Sequence, residues 1–249
     1  MTGTDDSERA FYDLGKNFKS YYMLTNLPDS VIIIFLLTVI LTFLLFINAV
    51  KIKATTAVVL VVWLAVTGIL SFKEVFQDTS TIPPRLMMGI APAILFIILL
   101  LVTKSGRRFT DSIDIKKLTL VHIVRVPVEI TLFMLSTHKL IPDLMTFEGR
   151  NFDILSGITA PIVYFICFKN SHVKNRRLLL VWNFICLGLL LNIVSNAILA
   201  APFPFQQFAF DQPNIAVLYF PFTWLPFFIV MIVLYSHLAA IRQLIRHTE

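Results

Sequence analysis

Charge is what this sequence has least of: 14% of its 249 residues are Asp, Glu, Lys or Arg, while 57% are hydrophobic. Soluble domains carry roughly a quarter charged residues, so that class is excluded, and an integral membrane chain is expected. Cysteine is nearly missing as well. The two present, Cys167 and Cys186, lie inside apolar runs. Neither reads as half of a surface disulfide or as a metal ligand with a near partner, so both are expected as small buried hydrophobes. No G-x-S-x-G, P-loop or G-x-G-x-x-G occurs, and no i, i+4 histidine pair, which removes the corresponding hydrolase, nucleotide and zinc chemistries. The last apolar segment holds no lysine, so a retinal Schiff base in its usual place is excluded too. No catalytic residue, metal or cofactor is assigned.

What is present is a succession of apolar runs. A membrane-crossing helix needs about 20 mainly apolar residues. Seven segments qualify or come close: 30–50, 54–72, 87–103, 118–138, 154–169, 178–200 and 222–241. The expected fold is therefore an all-α, seven-helix membrane bundle forming one domain over residues 28–249. Ahead of it, residues 1–27 lack the basic start and apolar core of a signal peptide. Phe11, Leu14, Phe18, Tyr21 and Tyr22 recur there at near-helical spacing, as in an amphipathic segment lying on a membrane surface.

The basic residues set the orientation. With seven crossings, 13 Lys and Arg fall on the side of the C-terminus and 7 on the other, with Arg125 inside the fourth span. Removing the fourth crossing erases that bias. The positive-inside tendency thus places the N-terminus outside and the C-terminus in the cytoplasm. The net charge of +6 is absorbed by this pattern, so nucleic acid is not an expected partner. The bilayer is, and a bacterial inner membrane is the expected location.

The fourth segment poses the chemical question, because LTLVHIVRVPVEITLFML (118–135) carries His122, Arg125 and Glu129, with Pro127 between the last two. At 100° per residue all three ionisable side chains leave one narrow helix face. Facing hydrocarbon, each ion would cost several kcal/mol, about 2.5–3.5 by insertion scales. The face is expected to turn into the bundle, where a mid-helix proline also kinks the chain and frees the carbonyl of Ile123. A plainer expectation competes: Arg125 and Glu129, four apart, neutralise each other and hold helices together.

Partners are expected at similar depth. Asn183, Tyr164, Tyr235, Ser236 and His237 fall in the same half of the bundle as His122 and Arg125, and Asn192, Ser195 and Asn196 continue a polar track outward. At the outer mouth Glu148, Arg150 and Asn151 are candidates for a polar solute, while Asp153 suits the N-cap of the fifth helix. The prolines at 28, 92, 161 and 226 are expected in first helical turns, where a missing N–H costs nothing. The loop APFPFQQFAFDQPNIAVLYFPF (201–222) has no Lys or Arg, and its phenylalanines are expected to float at the interface.

The function that follows is binding or transport of a small solute or protons in a polar intramembrane cavity. In it Glu129 titrates, Arg125 biases that titration, and His122 relays protons. Two other classes remain open. One is a non-catalytic receptor or subunit that meets a membrane-protein partner or a second copy of itself. The other is a lipid-modifying enzyme with His122 and Glu129 as acid and base.

Overall fold

The computed structural model describes residues 27–169 and 172–246. The amphipathic segment expected within residues 1–27 lies outside them, apart from Leu27. The described residues are mostly helical, at 74%, as a large supply of Leu, Ile, Val and Phe with few breakers favours. The helices are α1 (Asp29–Ala49), α2 (Lys53–Phe72), α3 (Arg85–Val102), α4 (Lys104–Ser112), α5 (Ile115–Thr137), α6 (Ile154–Cys167), α7 (Arg176–Leu199) and α8 (Leu225–Arg246). A two-residue antiparallel hairpin, β1 (Phe168–Lys169) with β2 (His172–Val173), links α6 to α7.

Six of these helices, α1, α2, α3, α5, α7 and α8, are long and apolar enough to cross a membrane. The seventh expected span, α6, is apolar but has 14 residues, about 21 Å of helix against the ~30 Å of a bilayer core. One helix, α4, has no counterpart in the sequence reading. It is polar, and Thr103 starts it by accepting from the Gly106 amide at 3.1 Å, while Asp114 caps α5 by accepting from the amides of Lys116 and Lys117.

The centre of the bundle is α5. In its most apolar stretch 61% of residues are buried, against 11% in α3, so α5 is the core and α3 the periphery. Around α5 pack α1, α6 and α8. From α1 it receives a single stripe that includes Val31, Phe35, Thr38, Thr42 and Phe46, spaced by helical turns. The Thr38 and Thr42 hydroxyls donate to carbonyls four residues back, so their burial leaves no donor unpaired.

Two prolines depart from expectation. Pro92 and Pro161 stand inside α3 and α6, not in first turns, because the helices begin earlier, at Arg85 and Ile154. In α5 the irregular stretch is a 3-10 turn over His122–Val124, just before Pro127. The proline cannot donate back to Ile123, and the preceding turn tightens instead.

The Phe-rich loop is tied to the bundle by hydrogen bonds. Gln212 Nε2 donates to the Ile141 carbonyl at 2.5 Å, and the amides of Ile215 and Ala216 both reach the Leu140 carbonyl at 3.0 Å. Phe203 and Phe222 are buried, while Phe210 is 69% exposed. The loop is thus folded back over the end of the bundle, since backbone groups so close to an apolar core need protein partners.

Candidate functional site: a buried ionisable cluster

The charged face of α5 points inward. His122, Arg125 and Glu129 are 1%, 2% and 1% exposed, a burial that only partners can sustain. Arg125 has three. Its Nη1 donates to Asp153 Oδ1 at 2.5 Å and to the Cys186 carbonyl at 3.2 Å, and its Nη2 contacts His237 Nε2 at 2.8 Å. A guanidinium only donates, so His237 Nε2 must accept. Its proton is then on Nδ1, which donates to Asn183 Oδ1 at 2.8 Å. Asn183 in turn donates through Nδ2 to the Leu179 carbonyl. Every atom in that chain has one consistent role, and His237 is held as the neutral Nδ1–H tautomer.

The second histidine stacks on the first. The His122 and His237 rings are 3.9 Å apart at 18°, and Trp182 meets the His122 ring edge-on at 5.4 Å. The Trp182 indole is itself fixed by donating to Thr159 Oγ1 at 2.9 Å. His122 Nδ1 has no hydrogen-bond partner among the described residues.

Glu129 is served from a different direction. Asn151 Nδ2 donates to its Oε1 at 2.5 Å and to the Met145 carbonyl at 3.0 Å, while Asn151 Oδ1 accepts from the Asp153 amide at 3.0 Å. The Asn151–Asp153 stretch therefore feeds both α5 ions, one through each polar side chain. Among the described residues Glu129 Oε2 has no partner, and no cation sits within ion-pair distance of it.

This arrangement corrects the neutralising pair. Arg125 and Glu129 do not satisfy each other; Arg125 pairs with Asp153, and Glu129 takes an amide. The N-cap expected of Asp153 is not made either, because its carboxylate is spent on the guanidinium. Burial raises the Asp153 carboxyl above its ordinary range, and the Arg125 charge works against that rise. Close approach of the two helices makes the pair reachable: a Cβ on Gly157 of α6 would lie 2.8 Å from Val126 Cγ2 and 3.0 Å from the Val126 nitrogen.

Of the residues expected at the site, the fold brings together His122, Arg125, Glu129, Asn151, Asn183 and His237. It leaves the others outside. Tyr164 is half-buried beneath Lys116, whose Nζ is 4.9 Å above its ring. Tyr235 pairs with Thr110 Oγ1 at 2.9 Å on another face of α8. Asn192 is exposed and donates to the Arg150 carbonyl at 3.0 Å, Asn196 reaches Asn192 at 3.4 Å, and Glu148 and Arg150 are exposed. Ser195 and Ser236 each donate to a carbonyl four residues back. Asp153 and Trp182 are the members that the sequence reading did not assign to the cluster. Cys167 and Cys186 are buried free thiols, and no three His, Cys, Asp or Glu among the described residues converge as a metal site.

Neither a curated protein nor a solved structure matches this chain. One family does, over residues 82–245, a stretch that begins just before α3 and takes in the whole cluster. The chain belongs to this family, which is described as a domain of unknown function, DUF8737.

Proposed function

We propose that the chain is a multi-pass membrane protein, crossing seven times with its N-terminus outside, that binds and relays protons through the buried cluster. Six long apolar helices with α6 as a shorter seventh, and the skew of Lys and Arg toward one side, support the topology.

The observation that carries the proton reading is a charge imbalance in a low-dielectric place. The cluster holds one guanidinium, two carboxylates (Asp153 and Glu129) and two stacked imidazoles, with every one of these groups under 10% exposed. Asp153 takes the guanidinium. Glu129 is left with an amide and no cation, and an isolated buried carboxylate is relieved by taking up a proton. Glu129 Oε2 and His122 Nδ1 are the atoms still open to one, whereas His237 is locked by Arg125 and Asn183. In this reading Glu129 is the exchangeable acid, Arg125 and Asp153 a fixed dipole beside it, and His122, about two helical turns earlier on α5, the relay.

The test uses purified protein in liposomes loaded with a pH-sensitive dye, with potassium and valinomycin to clamp the voltage. Wild type should collapse an imposed pH gradient, and Glu129→Gln should not while retaining its fold. Equal gradient decay in the two would reject the role.

A second reading is favoured by one observation, that Arg125 is met on three sides by protein acceptors: the cluster then serves as a clasp joining α5, α6, α7 and α8 in a receptor or subunit. A Arg125→Met, Asp153→Leu double replacement separates the two. A clasp replaced by apolar contact keeps function and gains stability, whereas the relay loses proton movement.

A further inference from the structure

The geometry points to a binding site for one anionic phospholipid of the bilayer, its acyl chain lying in an apolar groove between α2, α3 and α8 and its headgroup at the basic end of that groove. This site is distinct from the ionisable cluster and rests only on the chain being membrane-embedded.

The groove has a volume of about 620 Å³. Its floor is Phe46, Ile232 and Tyr235, and its walls are the valines of α2 and the Pro92–Ile97 stretch of α3. From Ile52 to Val66, the limits it reaches on α2, is about 21 Å at ~1.5 Å per residue. That exceeds the ~15 Å of one leaflet, half of a ~30 Å hydrocarbon core, so it has room along its length for a chain from that leaflet.

Toward the Val66 end the groove's walls are tied together. In the wide π-turn over Leu225–Ile229 the Phe227 carbonyl accepts from Trp63 Nε1 at 2.9 Å, and Trp224 Nε1 donates back to the Leu64 carbonyl at 3.1 Å. These two indoles clasp α2 to α8. Wide turns of this kind recur at functional sites because they displace side chains from the helical register.

The other end carries the groove's two threonines and is flanked in sequence by positive charge. There the lining becomes Ile52, Thr55, Thr56, Leu100, Phe109 and Tyr235. Lys51 and Lys53 flank the start of α2, and Lys104, Arg107 and Arg108 stand on α4; all five are exposed, and none forms an ion pair among the described residues. The nearest acid in sequence, Asp111, is already held by Arg242 and Arg246. The helix α4 is fixed in place, since a Cβ at Gly106 would fall 2.4 Å from Leu100 Cα. An apolar slot of leaflet length ending in unpaired cations fits an acyl chain carrying a phosphate, where each Lys or Arg near the surface adds about 1 kcal/mol of attraction to anionic lipid.

The full chain, reconstituted in phosphatidylcholine brominated on its acyl chains, tests this, because bromine quenches Trp63 by contact. Unbrominated phosphatidylglycerol should restore the fluorescence at a mole fraction about tenfold below that required of unbrominated phosphatidylcholine. A triple Lys53→Gln, Arg107→Gln, Arg108→Gln variant, altered only at exposed positions, should need equal fractions of the two lipids. Ala93→Phe, which fills the groove, should lose the low-fraction recovery. Equal recovery by both lipids in wild type, or an undiminished preference in the triple variant, would overturn the assignment.

Discussion

Arg125 and Asp153 lie 28 positions apart, yet their side chains meet at 2.5 Å with 3% and 7% of their surfaces exposed. The contact ties the middle of α5 to the start of α6, and it is as dependent on both partners as any buried ion pair. Replacing Asp153 by Asn leaves Arg125 charged and uncompensated, which typically costs about 3–5 kcal/mol. Thermal unfolding in detergent should show a large loss for Asp153→Asn and recovery of most of it in the Arg125→Met, Asp153→Leu double variant.

The sequence carried part of this in its periodicity. Three ionisable residues on one helical face had to turn inward, and they do. Position along each helix was also readable, and it brings Asn183 and His237 level with Arg125. Direction around the other helices was not. Tyr235 and His237 are two residues apart, about 200° at helical pitch, so one meets Thr110 and the other Arg125. Asp153 was hidden for a different reason: just before a helix an Asp reads as a cap, and only the Gly157 contact with Val126 reveals that it is near enough to an arginine to prefer that partner. The short helix α4 was missed because its length and polarity resemble a loop.

Because the guanidinium can only donate, the tautomer of His237 is determined. Nitrogen NMR of protein labelled at histidine should show a ring that is protonated at Nδ1 and bare at Nε2, and that signal should vanish in His237→Asn. A doubly protonated or Nε2–H ring at this position would show that Arg125 does not bind it.

Glycine at 157 allows α5 and α6 to touch. With Gly157→Ala the new methyl group meets the Val126 backbone as well as its side chain, so α6 must back away, at a cost of about 1–3 kcal/mol. The displacement also lengthens the ion pair. Unfolding measurements should find the penalty much reduced when Gly157→Ala is made in the Arg125→Met, Asp153→Leu background.

Glu129 and Asn151 should respond unequally. Glu129→Gln keeps an oxygen to accept from Asn151 Nδ2, so stability should move by about 1 kcal/mol or less. Asn151→Ala strands both Glu129 and the Asp153 amide, which that side chain serves, and about 1–3 kcal/mol should be lost for each unpaired group. Parallel melting curves of the two variants check the difference.

The proton reading turns on Glu129 being an acid that gains and loses its proton inside the bundle. Infrared difference spectra of the reconstituted protein, recorded as pH is stepped, observe this directly. A carboxylic-acid C=O band should grow on acidification, shrink on alkalinisation and be absent from Glu129→Gln. A spectrum without such a band, or one that Glu129→Gln leaves unaltered, would contradict the account.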